Sequence, residues 1–435
     1  MASLVFLLLR RSVRWWLFAV ASAIGAFLIS TLACWAVIHA FYWWPEDLPS
    51  AVVNTVALMI WAVALGSATA FGGLRRRRRG QKSPARDAST APVSRQRISP
   101  WRRGVAILAT VVVLASSGLQ VNAIFGQYPT VGRLLGVHTQ LSAAPAPALQ
   151  HILSSRFMDN AVSQRWRAPA GLATSGTVLS TAIPGTISGF KARNALVYLP
   201  PAYASANRPV LPVLVLVSGQ PGSPESWLQS SELIRELDVY AMAHEGLTPL
   251  VVIPDPNGGE QANTMCMDST LGQADTYMSK DVPEWIKTHL DADTNPAHWA
   301  VGGFSFGGTC AMQMVTRHPD IFRSFMAFSP EREPALAVNR SVTINRAFHG
   351  DTAAFDALVP LTLLSIKKYP EIAGWFASGS QDAVYSANVL VLLNATRKAG
   401  MRTDSALFPG GHSWTVVNEG LPEGLAFIFE RMGLP

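Results

Sequence analysis

The segment WAVGGFSFGGTCAMQMV, residues 299–315, decides how the rest of this chain is read. A short apolar run meets Gly302, Gly303, Gly307 and Gly308, grouped around Ser305, and a stretch of helical character follows. Glycine weakens helices and strands alike, by roughly 0.5–1 kcal/mol relative to alanine. Such a cluster at a strand-to-helix junction marks a turn so tight that a side chain at 303 or 307 would collide with neighbouring backbone.

Outward from this turn, apolar runs of strand length recur at Gly176–Pro184, Asn194–Leu199, Val213–Val217, Leu250–Ile253, Trp299–Gly302, Ser324–Phe328, Gly374–Ala377 and Asp404–Phe408. From the third run on, segments of helical pattern intervene, at Trp227–His244, Lys280–Leu290, Gly307–Arg317, Ala387–Ala399 and Leu421–Met432. Strands that first meander and then alternate with helices predict an α/β fold, a mostly parallel sheet covered on both faces with an antiparallel start. Such sheets bind ligands beyond the carboxyl ends of their strands. Reactive side chains are therefore sought in the loops that follow strands.

Gly303, Ser305 and Gly307 fit the pattern G-x-S-x-G between a strand and a helix, the setting in which it forms a nucleophile elbow. A serine hydroxyl is a weak nucleophile near neutral pH, so this reading requires a base and an orienting carboxylate. In folds of this type they follow the serine in the order acid, then histidine. His318 (TRHPD) closes a helix, where imidazole meets the helix dipole, and His349 (FHGD) does not follow a strand. His412 (LFPGGHSW) comes straight after the last strand, in a loop made adaptable by Gly410 and Gly411, and is the expected base. Asp382 (GWFASGSQD) follows the strand Gly374–Ala377 and is the expected acid; Asp351 and Asp356 remain alternatives, and Glu371 precedes that strand. The expected oxyanion donors are the backbone N–H of Phe306, directly after the serine, and that of Gln220 in the loop VSGQPGSPESW, where Gly219 and Gly222 let the backbone approach a substrate.

The combination of YLPPAY, VLVLVSGQPGSPESW, GGFSFGGTCAMQMVTRHPDIFRSFMAFSPE, GWFASGSQD and FPGGHSW resembles the esterase branch of the α/β-hydrolases, which contains esterase D and the extracytoplasmic mycolyltransferases of actinobacteria. The resemblance covers roughly residues 176–435 and implies an α/β-hydrolase fold whose serine, acid and histidine fall on Ser305, Asp382 and His412. The sequence departs from the family pattern at Ser218, where a histidine usually precedes the oxyanion-loop glycine.

The N-terminal part has a different character. Trp15–Trp44, Ala51–Leu74 and Gly104–Gly126 carry no formal charge, and each is long enough as a helix to cross roughly 30 Å of hydrocarbon. The first run exceeds the apolar core of about 7–15 residues in a cleaved signal peptide. Tryptophan and tyrosine at its two ends suit the headgroup level. Residues 75–103 hold eleven Lys or Arg against Asp87 alone, and the N-terminal segment carries Arg10, Arg11 and Arg14, whereas the loop between the first two runs has only Glu46 and Asp47. Positive-inside counting places the N-terminus and the 75–103 loop in the cytoplasm and everything after the third run outside it.

The run Arg75–Arg79, beside a membrane helix, is read as a topology signal touching anionic lipid, and no nucleic-acid partner is expected. Past Gly126 the chain holds 25 acidic and 21 basic residues, so its overall net charge of +7 describes the membrane part and says nothing of a substrate. A linker spans 127–175, with a short helix at about 147–158, and leads to the hydrolase domain at 176–435.

Cys34 lies inside the first apolar run. Cys266 and Cys310 both fall outside the membrane, where an oxidising compartment permits a disulfide; it would brace one wall of the site below Ser305. Metal-binding and phosphate-loop motifs are lacking, and no metal or cofactor is expected. The sequence thus predicts a membrane-anchored serine hydrolase acting on a carboxylic ester, with an envelope lipid or glycolipid as substrate. An acyltransferase of the mycolyltransferase type and a non-catalytic binding protein on a decayed hydrolase fold stand as alternatives.

Overall fold

The structure, a computed structural model, describes residues 2–9, 12–44, 46–79, 100–135 and 166–434. Most of the basic loop at 75–103, and all of the helix expected at 147–158, lie outside the described residues. The chain divides into two compact units, Met1–Phe41 with Glu46–Ala123, and Tyr42–Pro45 with Ile124–Pro435.

Three helices of the first unit, Val13–His39, Ser50–Arg79 and Pro100–Phe125, include spans long and apolar enough to cross a membrane. The first stops five residues short of the expected Trp44: the N–H groups of Ala40 and Phe41 both close on Ala36 O, and Tyr42 takes a left-handed backbone at φ 54°. Ser30 Oγ donates to Val53 O at 2.7 Å and Trp61 Nε1 to Ala19 O at 3.0 Å. These side-chain-to-backbone bonds tie neighbouring helices of the unit together. A Cβ on Gly66 would stand 2.0 Å from Thr110 Oγ1, so glycine there permits close helix approach. Leu17, Leu28, Leu32 and Leu108 face outward.

The second unit is built on an eight-stranded sheet. Its strands are β1 (Thr177–Thr181), β2 (Ala195–Leu199), β3 (Val213–Val217), β4 (Leu250–Ile253), β7 (Trp299–Phe304), β8 (Ser324–Phe328), β9 (Ala373–Gly379) and β10 (Arg402–Phe408). The short β5 (Asp268–Ser269) and β6 (Gly272–Gln273) form a separate hairpin, absent from the sequence reading. Sheet order is β1-β2-β4-β3-β7-β8-β9-β10, with β2 antiparallel to both its neighbours and every other pairing parallel. Every residue of β3, β4, β7, β8 and β9 is buried, which is why those runs read as continuously apolar. Each fully buried Val, Leu or Phe among them stabilises the unit by about 1.5–3 kcal/mol. The edge strand β10 mixes exposed and partly covered positions and buries only Thr403.

The helix expected at Trp227–His244 is two, Ser226–Gln229 and Leu233–Ala243. Side chains replace its missing turn: Ser231 Oγ donates to Trp227 O and accepts from Leu233 N, while Asn418 bonds Ser230 O and Glu232 N. Serines compete for helical backbone in this way. The segment expected from Lys280 starts earlier, passing through a π-turn at Tyr277–Asp281 into Val282–His289. Between β8 and β9 three unexpected helices, Arg340–Phe348, Thr352–Asp356 and Pro360–Ile366, are started by Asn339, by Asp351 and by Pro360 at the first helical position.

Candidate active site

β7 ends at Phe304, and Ser305 turns the chain into the helix Phe306–Arg317. Ser305 has φ 58° and ψ −117°, a backbone conformation that costs an L-residue on the order of 1–3 kcal/mol and clusters at functional sites. The glycines make the turn possible. A Cβ at Gly303 would lie 2.4 Å from Val217 O, and one at Gly307 would lie 2.0 Å from it. Both clashes are with backbone that cannot step aside. Ser305 N donates to Phe328 O at 2.8 Å, which fixes the turn against β8.

At the carboxyl end of β9, Asp382 caps the helix Ala383–Lys398, its Oδ1 accepting from Tyr385 N at 3.2 Å. Its other oxygen, Oδ2, stands 3.2 Å from His412 Nδ1, and His412 Nε2 stands 2.9 Å from Ser305 Oγ. The loops bearing acid and imidazole are stitched together: Ser380 N donates to Phe408 O and Gln381 N to Gly410 O, each at 2.8 Å. The His412 ring lies between two aromatic rings, stacked on Tyr385 at 3.9 Å and on Phe304 at 4.9 Å between centroids. That sandwich restricts its rotation and leaves its two nitrogens directed at the serine and the aspartate. Ser305 and Asp382 are buried. Chemically, the imidazole can take the hydroxyl proton as oxygen attacks a carbonyl carbon, and the carboxylate can hold the imidazolium that results.

Phe306 is the first residue of its helix, and such N–H groups have no intrahelical partner. Neither Phe306 N nor Gln220 N meets a backbone acceptor among the described residues. The loop after β3 lies against the serine, since a Cβ on Gly219 would stand 3.7 Å from Ser305 Cβ. The Gln220 side chain turns away, its Nε2 donating to Gln261 O at 3.3 Å and to Trp43 O at 3.4 Å.

The other candidates have separate partners. His318 ends its helix bonded to Asp275 at 2.9 Å, His349 is the left-handed residue after Phe348, Asp351 caps Thr352–Asp356, Asp356 pairs with Arg340, and Glu371 pairs with Arg323 at 3.3 Å. A disulfide joins Cys266 to Cys310 in the helix after Ser305, with Cα atoms 5.4 Å apart. Sequence reading singled out neither Tyr385 and Phe304 nor the ion pair of Arg193 with Asp255. Asp255 follows β4 at a strand's carboxyl end, a signal that could have found it; Arg193, in a polar stretch before β2, carries none.

Strand order, the elbow at the end of β7 and the loops gathered around it define the class: this is an α/β-hydrolase fold. The family described as "Putative esterase" matches residues 191–428, more than half of the chain. An uncharacterized protein of Corynebacterium glutamicum is 34% identical over 331 residues, 75% of either chain. That match is longer than everything after Gly126, so it reaches into the apolar N-terminal part. The chain belongs to this esterase family. Among solved structures, a ferulic acid esterase is 19% identical with a TM-score of 0.50, covering 59% of this chain and 99% of its own. An S-formylglutathione hydrolase from Agrobacterium tumefaciens is 20% identical with a TM-score of 0.48, covering 60% and 97%.

Proposed function

We propose that the chain is a membrane-anchored serine hydrolase that cleaves carboxylic esters through an acyl-enzyme, on the outer side of the membrane and with an acylated envelope lipid or glycolipid as substrate. The observation that carries this reading is the unbroken sequence of contacts from Asp382 Oδ2 through His412 to Ser305 Oγ, at 3.2 and 2.9 Å.

Ser305 Oγ bonds to the ester carbon as its proton passes to His412 Nε2. The carbonyl oxygen, now an oxyanion, sits against the N–H groups of Phe306 and Gln220, each such donor contributing on the order of 3 kcal/mol. The C–O bond to the alcohol breaks, and the alcohol leaves with the proton from His412. Water then gives a proton to the same nitrogen and attacks the acyl carbon. Collapse releases the acid and returns the proton to Ser305.

The outward orientation is supported by the basic residues at 75–103 and by the disulfide, which belongs to oxidising compartments. The envelope substrate is supported by the three apolar helices. Incubating the detergent-solubilised chain with an acyl-labelled glycolipid and an unlabelled sugar acceptor tests the reading. Free labelled acid, absent with Ser305→Ala, is the expected product. A labelled new ester would replace hydrolysis by acyl transfer, and release unaffected by Ser305→Ala would refute the nucleophile.

A further inference from the structure

The turn carrying Gln220 is short and has a small gap beneath it. A Cβ on Gly222 would stand 2.6 Å from Gly219 O, so residues 219–222 close on themselves. Beneath them, against Pro254, Asp255, Pro256 and Asn257, lies a cavity of about 10 Å³, room for roughly one water molecule. Packing from that side therefore does not fix the height of this turn by itself. The side chain that begins it does not fix it either, because Ser218 Oγ is buried without a partner among the described residues.

Arg193 does hold it. Arg193 Nη2 donates to Gly222 O at 2.9 Å, while Nε and Nη2 of the same guanidinium grip the two oxygens of Asp255 at 2.6 and 3.1 Å. Gly222 N is bonded in turn to Glu260 O at 3.0 Å. Asp255 is almost wholly buried and also accepts from the backbone N–H groups of Arg193, Asn257 and Gly258, each at 3.1 Å. Burial alone would lower the guanidinium's pKa; bonding to Asp255 and its charge, aided by Glu225 and Glu260, carry it above the ordinary value.

The far side of this clamp reaches the nucleophile. Asn257 Oδ1 accepts from Thr264 N at 3.0 Å and from Thr264 Oγ1 at 3.2 Å, Thr264 Oγ1 accepts from Cys266 N at 3.2 Å, and Cys266 is joined to Cys310 in the helix that begins at Phe306. The two backbone donors proposed for the oxyanion thus sit at opposite ends of one continuous network, with Arg193 as its connection to the turn at Gly219–Gly222.

We infer that Arg193, fixed by Asp255, is a positioning residue that sets the distance between the turn at Gly219–Gly222 and Ser305, and so the geometry in which the Gln220 N–H meets an oxyanion. This rests on the reading of Ser305 as nucleophile. A forked guanidinium is needed because one group must bond a carboxylate at two points and a carbonyl at a third, a task that a lysine ammonium cannot copy in the same plane.

The test uses the full chain in detergent, wild type beside Arg193→Lys, Arg193→Ala and Asp255→Asn, with p-nitrophenyl butyrate as substrate and an alkyl trifluoromethyl ketone as mimic of the tetrahedral oxyanion. Arg193→Lys is expected to lower kcat by about 10- to 100-fold, with KM within about threefold, and to lose affinity for the ketone by the same factor. Added guanidinium is expected to restore part of the Arg193→Ala rate. Unchanged kcat, a rise in KM alone, ketone affinity retained while kcat falls, or losses that simply follow the unfolded fraction by thermal melting would each overturn the inference. Absence of Ser305-dependent turnover in the wild type is a distinct result: it removes the proposed function, and this inference with it.

Discussion

Gly379 lies at the end of β9, where the backbone of the His412 loop crosses it. A Cβ there would stand 2.3 Å from Gly410 O and 2.5 Å from Gly411 O. Ordinary contact begins about 1 Å further out, so Gly379→Ala must push one segment back by roughly that amount. Residues on the β9 side are held in a parallel ladder with β8 and β10, whereas Gly411 and His412 lie in a loop, so the loop is what moves. Overpacking of this size costs about 1–3 kcal/mol of stability. A misplacement of about 1 Å costs on the order of 100-fold in turnover. The variant is thus expected to remain folded, with a melting temperature lowered by roughly 2–12 °C, while kcat for p-nitrophenyl butyrate falls roughly 100-fold. A Gly379→Ala protein with kcat within threefold of wild type would refute the claim that the position of this loop governs the reaction.

Asp382→Asn should leave the fold intact and lower kcat by up to about 10⁴-fold, because an amide cannot hold the imidazolium; a loss smaller than tenfold counts against its role. Reducing the bond that closes the 44-residue separation between Cys266 and Cys310 should destabilise the second unit by about 4 kcal/mol, read as a lower urea midpoint with reductant and no change in Cys266→Ser/Cys310→Ser. Asp275 is subject to burial, which raises its pKa, but the bond from His318 and the charges of Arg317, His318 and Lys280 hold it below the ordinary value of 3.8. Its folded pKa is depressed, so its stabilisation is complete above 3.8 and is lost as pH falls below that value through the folded pKa. Urea unfolding on either side of that pH should show a steeper loss for wild type than for Asp275→Asn.

Features of this protein that rest on local pattern were legible in its sequence. The uninterrupted apolar runs of β3 and β4, the glycine pair flanking Ser305 and the uncharged N-terminal runs each declare a strand, a turn or a long apolar helix without help from distant residues. What escaped depends on contacts between residues far apart in the chain. The break at Ser230–Glu232 is made by Asn418, and no proline or glycine marks it. The early end of the first apolar helix, before Trp44, lies in a backbone turn and has no compositional sign. Tyr385 stacks on His412 from the first turn of another helix, and in sequence it is indistinguishable from a core residue. Arg193 acts on a loop 29 residues away, and its local surroundings are merely polar.

The most direct test of the central claim is the site of covalent capture. Treating the full chain with a fluorophosphonate and mapping the adduct by peptide mass spectrometry should find it on Ser305, with capture slowed severely in His412→Ala and abolished in Ser305→Ala. An adduct on another residue, or capture as fast without the imidazole, would contradict the account.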